Sequence, residues 1–195
     1  MNLLRLIPFV AGLAMICQAG VVKELSFEQL VDGADLIVHG KVVNKTAAWD
    51  SDHQYIWTHY EIQVLDHIKG THASTVTVSE AGGTVGPDSM FASVMVEYSA
   101  GEEVLVAVKK MPNGLYRTVG FVQGKFVVAE RQQFAGKHAF GLTDSHAIES
   151  NASLQGTHLS AVQDLPVNQL KAMMRTRMAH NFNHNSNQNP TQEVK

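Results

Sequence analysis

The sequence predicts a mostly β protein: a small, largely antiparallel barrel or sandwich, with a short helix before it and an amphipathic helix after it. Three observations carry this expectation. The stretch from Tyr55 to Gly70 alternates apolar and polar side chains more regularly than any other. Short Val-rich runs follow it, separated by turn signals at Lys69-Gly70, Ser99-Ala100-Gly101 and Pro112-Asn113-Gly114. Beyond Gly141 that texture gives way to Ser, Asn, Gln and His, and then to one helical stripe.

The chain opens with MNLLRLIPFVAGLAMICQA, in which Arg5 precedes an apolar run from Leu6 to Ile16 and small residues follow at Cys17 and Ala19. That is the order of a secretory signal peptide, over 1–19 with cleavage after Ala19. The run falls short of the roughly 20 apolar residues a bilayer span needs. A lipoprotein signal would acylate Cys17, but Ile16 is bulky where such signals carry a small residue. The expected location is therefore secreted or periplasmic, with no membrane contact beyond the cleaved signal.

Cys17 is the only cysteine of the 195 residues. Cleavage leaves a mature chain with no disulfide, Fe–S cluster, thiolate zinc site or cysteine nucleophile. A core has to hold it, and the remaining length suffices for one domain. The formal net charge is −3. Loss of Arg5 leaves fourteen cations against eighteen acids, or −4, which argues against nucleic acid as a partner.

The elements then follow in order. In KELSFEQLVDGA, Ser26 caps a helix, Gln29 completes a capping box, and Phe27, Leu30 and Val31 form its apolar stripe. Asp32-Gly33 ends it. LIVHGKVVNK is the first strand, with Leu36, Val38, Gly40 and Val42 inward and Ile37, His39, Lys41 and Val43 outward; Gly40 marks a bend or a close backbone approach. TAAWDSDHQ is a polar connection. In the second strand Ile56, Thr58, Tyr60, Ile62, Val64, Asp66 and Ile68 share the inner face. Tyr55, Trp57, His59, Glu61, Gln63 and His67 share the outer one. So long a strand must coil, as it does when small barrels close.

STVTVSEAGG supplies a third strand with Val76 and Val78 inward, and GGTVGPDSM a loop. A strand runs through Val104, Val106 and Val108, then Asn113-Gly114 makes a hairpin into LYRTVGFV. GKFVVAERQQF is the last strand. The β domain thus covers 20–141, with a polar loop over 142–163. DLPVNQLKAMMRTRMAH is a helix over 164–180, with Pro166 early and Val167, Leu170, Met174 and Met178 on one stripe. Lys171, Arg175 and Arg177 lie where they suit the helix dipole. Residues 181–195 read as a disordered tail.

The blocks LSFEQLVDGADLIVHGKVV, YIWTHYEIQVLDHIKG, VTVSEAGGTVG, GEEVLVAVKK and YRTVGFVQGKF, spanning Leu25 to Val128, resemble a widespread group of uncharacterised exported bacterial proteins. The same outline is similar, more distantly, to the netrin-like (tissue inhibitor of metalloproteinases) OB-type barrel. There too a helix and an "AD" precede the first strand, and the second runs long into "KG". The resemblance implies an OB-like, netrin-like barrel and a peptidase as partner. Inhibitors of that superfamily insert a disulfide-tied N-terminal cysteine into the protease metal site, and a mature chain without cysteine cannot do so.

No G-x-S-x-G, H-E-x-x-H, P-loop or G-x-G-x-x-G occurs, and Asp144-Ser145-His146 are adjacent residues that do not converge on a proton path. The expectation is a non-catalytic binding protein, without cofactor, that contacts another exported protein. Its binding face is Tyr55, Trp57, His59 and Glu61, where an aromatic pair with polar neighbours forms a platform unless the C-terminal helix or a neighbouring strand covers it. The alternative is a divalent-metal protein holding zinc or copper. His39, His59 and Glu61 would then be strand ligands and Asp50, Asp52 and His53 a loop cluster, set against their reading as exposed polar positions.

Overall fold

The computed structural model describes residues 22–92, 94–130, 135–141, 148–149 and 154–188. The stretch expected to be a signal peptide, with Cys17, and Asp144-Ser145-His146 lie outside them. The elements in chain order are β1 (Val22–Lys23), α1 (Phe27–Gly33), β2 (Leu36–Trp49), β3 (Ile56–Lys69), β4 (Thr75–Ala81), β5 (Gly83–Val85), β6 (Asp88–Met90), β7 (Glu103–Lys110), β8 (Tyr116–Thr118), β9 (Lys125–Glu130), β10 (Lys137–Gly141), β11 (Ile148–Glu149), β12 (Leu165–Pro166) and α2 (Val167–Gln188).

The protein is mostly β with two helices. One eight-stranded sheet runs β12-β10-β9-β7-β2-β3-β4-β8, and β8 also pairs with β7, so β7, β2, β3, β4 and β8 close a ring of five strands. All pairings of the ring are antiparallel except the single parallel contact Val78 to Tyr116 between β4 and β8.

Two apolar clusters lie on opposite sides of β2 and β7. Val38, Val42, Tyr60, Ile62, Val76, Val78, Val104, Val106 and Val108 fill the ring. Ile37, Leu105, Ala107, Phe126 and Val128 face the other way, under Phe27, Leu30 and Val31 of α1 and Val167, Leu170 and Met174 of α2. The strictly alternating run Val104 to Val108 is therefore buried on both faces, which the one-sided expectation for the first strand and its neighbours did not include.

The capping box of α1 is present in full: Gln29 N–H donates to Ser26 Oγ and Ser26 N–H to Gln29 Oε1. Gly40 meets the β3 backbone so closely that a Cβ there would stand 2.5 Å from Gln63 O. Gly114 takes positive φ in the β7–β8 turn, and Asn113 contributes through its side chain, which accepts Leu115 N–H at 3.2 Å.

Several expectations are corrected. β2 continues through Thr46-Ala47-Ala48-Trp49, which the sequence had suggested as connection, so the turn shrinks to 50–55. The Gly-rich loop contains the β5–β6 hairpin. β8 stops at Thr118, because Gly120 and Phe121 both take positive φ and start a 3-10 turn. β10 was not expected at all. Within the supposed polar loop, Leu159 and Val162 are buried under α1, and Thr157 donates to Glu28 through its N–H and hydroxyl. Pro166 belongs to β12 rather than to the helix, and α2 runs on to Gln188 through residues expected to be disordered. Lys171, Arg175 and Arg177 consequently sit in the body of α2 and serve as ion-pair partners of Asp66 and Asp32.

The largest correction concerns β3. Its pairing with β2 passes from Val64 (opposite Gly40) to Asp66 (opposite His39), leaving Leu65 as an extra residue. Such a bulge moves the side chains that follow to the other face, here as far as a second irregularity at Ile68, between His67 (opposite Val38) and Lys69 (opposite Ile37). Asp66 and Ile68 therefore leave the ring interior and join the α2 side, where Asp66 accepts from Lys171 Nζ and Arg175 Nη2, each at 2.8 Å. The helix α2 thus packs on its own sheet.

Candidate functional site

β3 sets the geometry of the candidate face. Trp57, His59 and Glu61 project from its outer side at alternate positions, about 6.6 Å apart. Across the strand pairs they lie between Ala48, Thr46 and Asn44 of β2 and Ala81, Ser79 and Thr77 of β4. These neighbours are small or polar, so the larger side chains stand above the sheet.

Each half-buried member is held by a residue of another strand. His59 Nδ1 and Ser79 Oγ share a hydrogen bond of 2.7 Å. Arg117 of β8 places its guanidinium over the Trp57 ring at 5.5 Å and over Phe121 at 5.7 Å, between two aromatic faces. Beneath it lies Glu80, a buried carboxyl that accepts Thr118 N–H at 2.8 Å and bridges β4 and β8 where their pairing has ended. Burial raises its pKa, despite the bonds from Thr118 and the nearby Arg117 charge.

Tyr55 is 55% exposed and Glu61 is exposed. A groove of about 330 Å³ runs over Thr75, Thr77, Ser79 and His59 to Leu115 and Tyr116 at the β7–β8 turn. The helix α2 does not lie here; its contacts with β3 are at Asp66 and His67. Among the described residues, the cover on Trp57 and His59 comes from β4 and β8.

The proposed strand ligands are not brought together. His39 stands opposite Asp66 and His59 opposite Thr46, seven residues further along β2 and so roughly 20 Å away. His39 faces the α2 side, nearly buried, and its Nε2–H donates to Glu103 Oε1 at 2.8 Å. Burial lowers its pKa, and the Glu103 bond only partly counters that. In the loop, Asp50 accepts the N–H groups of Gln54 and Tyr55 as a turn cap. His53 stacks on Trp49 at 5.9 Å, and Asp52 accepts from Ser51. Among the described residues no three His, Cys, Asp or Glu side chains cluster as a metal site would require.

Sequence reasoning missed Arg117, Phe121 and Ser79. Ser79 was readable as an outward position of the alternating STVTVSE run. Arg117 was not, because its place over Trp57 depends on the β4–β8 closure. No protein-family model matches the chain, and no curated protein matches it.

Proposed function

We propose that this chain is an exported binding protein without catalytic activity, and that it contacts another exported protein through the outer face of β3. One observation carries the reading. Tyr55 and Glu61 are open to solvent, while Trp57 and His59 between them are fixed by Arg117 and Ser79. Side chains already immobilised lose little rotamer freedom on binding, and aromatic residues with a polar rim are the anchors of protein interfaces.

The ring supports an OB-like barrel. Its order, β2-β3-β4-β8-β7, with β4 and β8 parallel, suits five strands wound as an OB fold. On such barrels the outer face of the second and third strands is the common ligand surface, and here the groove lies over β3 and β4. The netrin-like resemblance adds a peptidase as the class of partner, and the secretory pattern expected of residues 1–19 adds the compartment. No helix among the described residues is long and apolar enough to cross a membrane.

The test is affinity capture from the native exported fraction. Immobilised mature protein should retain a defined component that Tyr55→Ala/Glu61→Ala retains at least about tenfold less. Leu65→Ser, exposed on the α2 side, should bind as the parent does. Equal retention by the double variant would sink the assignment of the face.

A further inference from the structure

β2 outruns its partner. Its pairing with β7 ends at Lys41, and the chain from Glu102 closes that edge as far as Val42, whose N–H donates to Glu102 O. From there to Trp49, β2 is paired only with β3. The hairpin closes with Asp50 N–H donating to Tyr55 O, so alternate residues Ala48, Thr46 and Asn44 bond to β3. The N–H and C=O groups of Trp49, Ala47 and Lys45 then face outward, with no strand beside them among the described residues. Asn44 Oδ1 turns back to accept Lys45 N–H at 2.9 Å, a side chain standing in for the absent strand.

We propose that this edge pairs antiparallel with the same edge of a second copy of the chain, about a twofold axis at Ala47. The edge is self-complementary. Placing Ala47 opposite Ala47 sets Lys45 opposite Trp49 twice; the N–H and C=O groups of Ala47 and Trp49 and the C=O of Lys45 face the other copy, while Lys45 N–H has to leave Asn44 Oδ1 to join them. Thr46 and Ala48 are small and exposed on the outer face, while on the inner face β5 lies against Ala47, so the incoming strand meets one open face. An isologous contact of this kind is what a C2 dimer requires. Its short length makes the association weak and concentration-dependent.

Ala47→Pro removes an outward N–H and leaves the β3 ladder intact, since prolines are tolerated on strand edges. Sedimentation of the mature protein should show a monomer–dimer equilibrium rising into the high-micromolar range, weakened at least tenfold by Ala47→Pro. Trp49→Lys, which sets like charges opposite each other, should weaken it as well. In the parent, amide hydrogen exchange at Ala47 and Trp49 should slow with concentration while that of Ala48 does not change. A parent that stays monomeric, a dimer indifferent to both substitutions, or exchange at Ala47 independent of concentration each overturns the proposal. None of these outcomes bears on capture through Tyr55 and Glu61.

Discussion

His39 shows how one residue's surroundings decide its role. As a sequence position it was a metal-ligand candidate. In the fold it is a nearly buried imidazole tied to Glu103, which in turn accepts from Lys137 at 2.6 Å. Lys171 and Asp66 are its other charged neighbours. Its folded pKa lies below the ordinary His value of about 6.5. Its contribution to stability is therefore complete above about pH 6.5 and is lost as pH falls from there through the folded value, because the unfolded chain takes up the proton first. Urea midpoints measured from pH 7.5 to 5 should fall for the parent and fall less steeply for His39→Gln. Parallel pH profiles would contradict the burial assigned to this ring.

At the scale of elements, periodicity was readable and its interruptions were not. Ile56, Thr58, Tyr60 and Ile62 are all buried as the alternation required, and Ser26 and Gln29 form the capping box that their spacing announced. Nothing in LDHIKG, however, marks Leu65 as a bulge, since β-bulges follow from how two coiled strands accommodate one another. The consequence is large, because the bulge delivers Asp66 to Lys171 and Arg175 and so docks α2. The length of α2 escaped notice for a related reason: the Asn-rich turns beyond His180 have poor intrinsic propensity and extend a helix already fixed by Leu170 and Met174.

Asp66→Ala should strip the buried Lys171 ammonium of its partner. The expected cost is about 1–3 kcal/mol, below the range for fully buried pairs because Asp66 is about a third exposed. Amide exchange in α2 should quicken with it. Lys137→Ala, an exposed partner of Glu103, should change stability by no more than about 0.5 kcal/mol. An α2 whose protection is unchanged in Asp66→Ala would show that the ion pairs do not dock it.

For the whole molecule, the two apolar clusters explain where an interaction surface can be. Helices α1 and α2 occupy one side of the sheet and the ring interior is filled, so the outer side of β3, β4 and β8 is a sheet surface left to solvent. The alternation in the sequence put Trp57, His59 and Glu61 on one side of the strand, and they project from one side of β3. It could not show that Arg117 arrives over Trp57, because that depends on Tyr116 of β8 meeting Val78 of β4, far apart in the chain. Hydroxyl-radical labelling tests the claim most directly, by comparing purified mature protein with the same protein returned to its native exported fraction. Binding through this face predicts that Tyr55 and Trp57 become protected severalfold while the exposed Phe91 and Leu65 label as before. Unchanged labelling of Tyr55 and Trp57, with protection appearing elsewhere, would contradict it.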